Sequence, residues 1–316
     1  MTQRRGFVAV GLAALLVVAG CSAPAIEPPT ASAPSGGGEA VAAPNDGFDD
    51  PDSDVLGWED GYWYNESVSV DQSDGLSDGE LRVYVARAMA RVEYIRGKEF
   101  TQRVPVSILS RDEYRNRSGG SGGSGAQSDY QRWNDQVWEA LFVAGESQDS
   151  ESAISDTRSA AVAGFYAPRD DEIKVITDTP ESPTIDNATL VHELVHALQD
   201  QQYDLSKPKY GGDTQDEQLA VDGLVEGDAN YVETRYAQQC GAAWGCVATP
   251  ESAGGGGGGG GGGPNLGILL TIFQPYSDGP VYISDLVDLG GWATVDEEFE
   301  NPPGSTEQII HRTDEE

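Results

Sequence analysis

Two of the chain's three histidines stand four residues apart, in His192-Glu193-Leu194-Val195-His196. That spacing puts both imidazoles on one face if the segment is an α-helix, where residues i and i+4 stack. Leu190, Leu194, Val195 and Leu198 supply apolar contacts around the pair, so the helix is expected to be half-buried. Two neutral imidazoles on one face can grip a single metal ion, and nitrogen ligands suit Zn²⁺. Glu193 lies about 100° round the helix from His192, beside the metal's open position. A carboxylate there can take a proton from a water whose pKa the metal has lowered.

A catalytic zinc site needs a third protein ligand and an open fourth position. The best candidate is Glu226, in Leu224-Val225-Glu226-Gly227-Asp228-Ala229-Asn230-Tyr231-Val232-Glu233, thirty residues after His196. Glu233 and Asp222 are its rivals. Gly223, Gly227 and Ala229 are small enough to let this second helix approach closely. With the Glu-Gly-x-Ala pattern following the two histidines, the chain resembles the gluzincins, zincin-like metallopeptidases completed by a Glu on a later helix.

The resemblance implies His192, His196 and Glu226 as zinc ligands and Glu193 as the base in hydrolysis of a peptide or protein substrate. It implies an α+β, zincin-like fold, a small sheet whose edge hairpin packs on the HExxH helix and on a second ligand-bearing helix. Gly164-Phe165-Tyr166 is similar to the edge strand above the zinc in such proteins. Pro302 to His311 resembles a stretch near the C-terminus of surface-exposed proteins with the same motif pair, so the likeness spans 160–311. Thermolysin-like members orient a ligand histidine with an Asp four residues after the ligand Glu. Asn230 stands there instead, and Asp228 or Glu233 is expected to substitute. Members also use a C-terminal His, or a Tyr, to stabilise the oxyanion, which points to His311 or Tyr276.

The surrounding elements can be placed by caps and periodicity. Ser77-x-x-Glu80 has the form of a capping box; apolar positions at helical spacing follow it, and Gly97 supplies a stop. Val104–Leu109 reads as a strand and Tyr130–Val143 as a helix. A hairpin is expected over 161–176, with Pro168–Asp171 as its turn. Helices follow at about 186–202 and 215–239, the second opened by Thr214-x-x-Glu217. Leu266–Phe273 reads as one more helix. Gly-rich insertions interrupt the domain at 118–125 and at 254–263, where ten glycines run together.

The charge excludes some partners. With 19 Lys+Arg against 53 Asp+Glu the net charge is -34, so no nucleic-acid partner is expected. The acids are dispersed and lysine is scarce, which resembles proteins of extreme halophiles. Residues 1–21 resemble a twin-arginine lipoprotein signal, with Arg4-Arg5, an apolar run and Val18-Ala19-Gly20-Cys21. Lipid on Cys21 would hold the protein in the bilayer at the extracellular face of the cytoplasmic membrane, as in an exported archaeal surface lipoprotein. Residues 22–57 read as a flexible tether, and 58–316 as the zincin-like domain. Cys240 and Cys246, five residues between them, are expected to form a disulfide in that oxidising compartment. Asn65 and Asn187 open N-x-[ST] glycosylation patterns. A reading from another class is a catalytically silent surface-binding lipoprotein on the same fold, which an intact Glu193 opposes.

Overall fold

The computed structural model describes residues 49–118, 128–146, 149–150, 152–154, 162–249, 265, 267–268, 270 and 273–311. The signal, Cys21, most of the tether and both Gly-rich insertions, save Ser118, lie outside them. Packing starts slightly before residue 58, because Val55 bridges to Trp58 and the Gly57 N–H donates to Glu93 at 2.8 Å.

The architecture is mixed α+β. A two-residue antiparallel pair, β1 (Trp58–Glu59) and β2 (Tyr62–Trp63), leads into α1 (Asp78–Arg96). The reciprocal Ser77–Glu80 capping box starts α1, and Gly97, at φ 71°, ends it in the left-handed conformation that glycine adopts freely. Strand β3 (Val106–Ser110), helices α2 (Arg111–Ser118) and α3 (Asp129–Ala140), and strands β4 (Gly164–Ala167) and β5 (Glu172–Thr177) follow. The sheet order is β3-β5-β4, with β3 parallel and β4 antiparallel to β5, so β4 is an edge.

Asp186 caps α4 (Asn187–Tyr203), and Thr214 with Glu217 caps α5 (Gln215–Cys240). Helices α6 (Gln274–Gly290), α7 (Trp292–Glu300) and α8 (Thr306–His311) complete the chain. The helix expected at 266–273 lies partly outside the described residues, and the long helix begins at Gln274.

Two apolar cores meet along α5. The first joins α1, the sheet and α4 to Ala229, Val232 and Tyr236. The second joins Ala220, Val221, Leu224 and Val225 to α6, α7 and Ile309 of α8. Glu226 therefore stands where α5 passes from one core to the other.

Helix α6 packs on α5 backbone to backbone. A Cβ added at Gly227 would lie 2.5 Å from the Gly279 carbonyl carbon, and one at Gly279 would strike the Gly223 oxygen. No side chain can be inserted there without moving a helix. Gly279→Ala is expected to cost about 1–3 kcal/mol, read as a lower Tm in thermal unfolding; an unchanged Tm would refute the close contact.

A buried acid pair joins β1 to α1. Glu93 accepts from the backbone N–H groups of Gly57 and Phe100, at 2.8 and 2.7 Å. Glu59 hydrogen-bonds to it. Burial, then the charges of Glu93, Asp54 and Asp60, push the Glu59 carboxyl up to about 9. Burial brings Glu93 to about 7. Both folded values lie above the unfolded one, so folding takes up protons. The stabilisation is full below pH ~4.5 and is lost as pH rises through about 7 to 9. Stability should fall by on the order of 1–3 kcal/mol across that window, and Glu59→Gln should flatten the profile measured by denaturant titration.

Candidate metal centre

Helix α4 presents His192, Glu193 and His196, and α5 presents Glu226 against them. The Glu226 Oε2 lies 3.0 Å from His192 Nε2 and 3.3 Å from His196 Nε2. The ligand atoms of all three lie within 4.8 Å of one another. They are buried, at 1%, 2% and 4% exposure. Tetrahedral ligands at ~2.0–2.1 Å from one ion are about 3.3–3.4 Å apart, close to the spacings seen. This group could hold a metal ion.

The outer hydrogen bonds say which nitrogen faces inward. His192 Nδ1 meets Glu233 Oε2 at 3.1 Å, and His196 Nδ1 meets Gln199 Oε1 at 3.0 Å. The Gln199 Nε2 donates to the Val225 carbonyl at 3.0 Å and to Asp228 at 3.1 Å, which turns its oxygen towards His196. With an oxygen facing each Nδ1, the neutral form of each histidine would carry its proton there and leave the Nε2 lone pair aimed at Glu226; until a cation is bound, protons take its place. Two lone pairs and a carboxylate facing one another call for a cation.

The electrostatics express the same demand. Burial opposes charge on His192, but the Glu226 and Glu233 carboxylates outweigh it and raise the imidazole to about 10. Burial would raise Glu226, but the two histidines hold it well below the usual carboxylate range. Arg96 anchors the outer ring. It pairs with Asp228 at 3.0 Å and Asp296 at 2.9 Å and stacks on Trp292 at 4.4 Å.

Glu193 is not aimed at the Glu226 group alone. Its Oε2 accepts the Tyr166 backbone N–H at 2.7 Å, while Oε1 is buried with no hydrogen-bond partner. Burial raises its carboxyl. The Tyr166 hydroxyl in turn donates to Asp200 of α4 at 3.0 Å, so this residue fastens β4 along the helix at two points. Gly164 fits under the same strand: a Cβ there would sit 3.0 Å from Thr189 Cγ2.

Tyr276 reaches this group from the first turn of α6. Its hydroxyl hydrogen-bonds to Glu226, and burial, then the Glu226 charge, raise the phenol far above its ordinary value. It therefore stays a donor.

His311 does not reach the group. At the end of α8 its ring is 62% exposed and pairs with Glu307, 3.2 Å away. The burial of Ile309 beneath Gly223 turns α8 so that His311 faces outward. Of the rivals to Glu226, Glu233 supports His192 from outside, and Asp222 accepts from Gln218 at 2.8 Å.

Cys240 and Cys246 are bonded, with Cα atoms 5.4 Å apart. Asn187 is engaged in packing: its side-chain nitrogen, the atom a glycan would need, donates to the Val247 carbonyl at 2.8 Å. Asn65 keeps its side-chain oxygen buried. Among the described residues no helix is long and apolar enough to cross a membrane.

The sequence motifs do not mark Gln199 or Arg96, and they place Tyr166 on the edge strand without its bonds to Glu193 and Asp200. Gln199 had a visible signal, being a polar residue three places after His196 on the same helical face. Comparison with protein-family models, curated proteins and solved structures returned no match.

Proposed function

We propose that the chain is a zinc-dependent peptide hydrolase with a gluzincin-like fold, exported and held by lipid on Cys21 at the extracellular face of the membrane. One observation carries the catalytic part: two Nε2 lone pairs and a carboxylate converge beside a buried glutamate oxygen that has no partner. Zinc in such a set polarises a carbonyl and makes water more acidic. A purely structural site would have no use for Glu193.

Each residue then has a task. Glu193 Oε1 takes a proton from the attacking water and returns it to the leaving amine. The Tyr166 N–H fixes the other oxygen, so the carboxylate cannot swing away. Tyr276 donates to the carbonyl oxygen as negative charge builds there. The Ile176 N–H donates to the Ala163 carbonyl, so by strand alternation Gly164 and Tyr166 turn their backbone groups away from β5; the Tyr166 N–H is taken by Glu193, which leaves the Gly164 groups and the Tyr166 carbonyl for the free edge. An extended peptide can pair at that edge.

The test is digestion of a peptide library by the full chain, with metal content measured alongside. Cleavage should disappear on chelation and return with zinc. A fully loaded protein that cuts nothing would overturn the assignment. Tyr276→Phe should lower kcat by about 10²–10³-fold with metal content unchanged, whereas His311→Ala should leave kcat at the wild-type value. The reverse pattern would return the donor role to His311.

A further inference from the structure

Helix α1 buries two guanidinium groups, on Arg87 and Arg91, at 1% and 0% exposure. Tyr84, Arg87 and Arg91 follow one another at spacings of three and four, so they form one stripe on the helix. The backbone supplies most of what holds the arginines. The Gly245 carbonyl, next to the disulfide, accepts from Arg87 Nη1 at 2.8 Å and from Arg91 Nη2 at 3.1 Å. Arg91 also donates to the Tyr64 carbonyl at 2.7 Å and lies over Trp244 at 4.5 Å.

What is missing is an anion. Among the described residues neither arginine has a carboxylate at ion-pair distance, in contrast to Arg96 on the same helix. Arg87 Nε, Arg87 Nη2 and the Tyr84 hydroxyl are buried with no hydrogen-bond partner. Asp186 is close enough to influence Tyr84, but its oxygens are committed to Thr189 N and Oγ1, at 2.8 and 2.7 Å. Burial and the neighbouring Arg87 charge bring the Arg91 guanidinium down to about 10. Leaving a buried cation unpaired is strongly unfavourable, and each orphaned donor adds to the cost.

We infer that Tyr84, Arg87 and Arg91 form a binding site for a small monovalent anion, chloride, held by Arg87 Nε and Nη2 and the Tyr84 hydroxyl. Water could satisfy the hydrogen bonds, and Asn187 Oδ1 is a buried acceptor without a partner on the adjoining helix. Water would not balance two positive charges. Donors outnumber acceptors here, which favours the anion. The site would tie stability to chloride, since a ligand that binds only the folded state stabilises it by mass action.

The test is thermal unfolding of the full chain, dialysed free of chloride, in sodium chloride and in sodium gluconate at matched ionic strength. Wild type should gain Tm in chloride along a saturable curve that gluconate does not reproduce. Tyr84→Phe, which keeps the ring, should raise the half-saturating chloride concentration about tenfold through loss of one charge-assisted hydrogen bond. Arg87→Met should lose the chloride-specific gain altogether. If Arg87→Met does not fold, Tyr84→Phe and a bromide-soaked crystal decide: an anomalous peak beside Arg87 and Tyr84 supports the site. Equal Tm in the two salts, or no bromide at that position, overturns it and leaves a water there.

Discussion

Glu193→Gln is expected to lower peptide cleavage by at least about 10²–10⁴-fold while the protein keeps its full complement of metal. The geometry makes the substitution unusually clean. Tyr166 N–H already donates to one carboxylate oxygen of Glu193. In the variant the amide oxygen has to take that position, since an NH₂ group there would face another donor. The amide nitrogen is then left where Oε1 was, the buried atom without a partner. A donor replaces the acceptor at the one place where a proton must be received. His192, His196 and Glu226 are untouched, so metal per chain, measured by atomic spectroscopy, should equal wild type. Similar cleavage rates for the two proteins would remove Glu193 from the chemistry and with it the proposed hydrolysis.

Glu226→Ala should act on the metal itself. Its Oε2 faces both Nε2 atoms and supplies the only negative charge among the three candidate ligands. Loss of an outer partner of a ligand histidine costs about 10–100-fold in metal affinity; loss of Glu226 should exceed that and leave the purified protein nearly metal-free. Glu233→Ala supplies the contrast. It removes the carboxylate behind His192, so binding should weaken by about 10–100-fold and saturate at higher zinc. Competition with a chromogenic chelator separates the two. A metal-free Glu233→Ala beside a fully loaded Glu226→Ala would exchange their roles.

Much of this site could be read from sequence because its helices announce themselves locally. Two capping boxes mark the starts of α1 and α5, while the Asp186 cap of α4 shows only in the structure. The four-residue histidine spacing then orients α4, and the small residues around Glu226 mark a close helix contact, although Gly227 makes it with α6 and not with α4. The hairpin at β4 and β5 was equally local. What sequence hides is long-range. Nothing within β3 says that β5 lies parallel to it, and Arg96 meets Asp228 across 132 positions. Helix α6 is hidden for another reason. Pro275, Gly279 and Pro280 look like breakers, yet Pro275 falls in the first turn, where a proline is tolerated. Gly279 is the contact point with α5, and packing there outweighs the missing N–H of Pro280. Tyr276 thus follows the 266–273 segment and stands in the first turn of a further helix. His311 looked promising as the only histidine left over, but that counted scarcity and not position.

The glycine contact between α5 and α6 has a mechanical consequence. Where two helix backbones touch, no layer of side chains exists to repack, so sliding or rolling of one against the other is blocked. Glu226 on α5 and Tyr276 on α6 consequently move as one body, while Glu193 rides on α4 and is latched to the β4 edge. His192 and His196 on α4 meet Glu226 on α5 in one group, so the glycine contact extends that rigid frame to the Tyr276 hydroxyl.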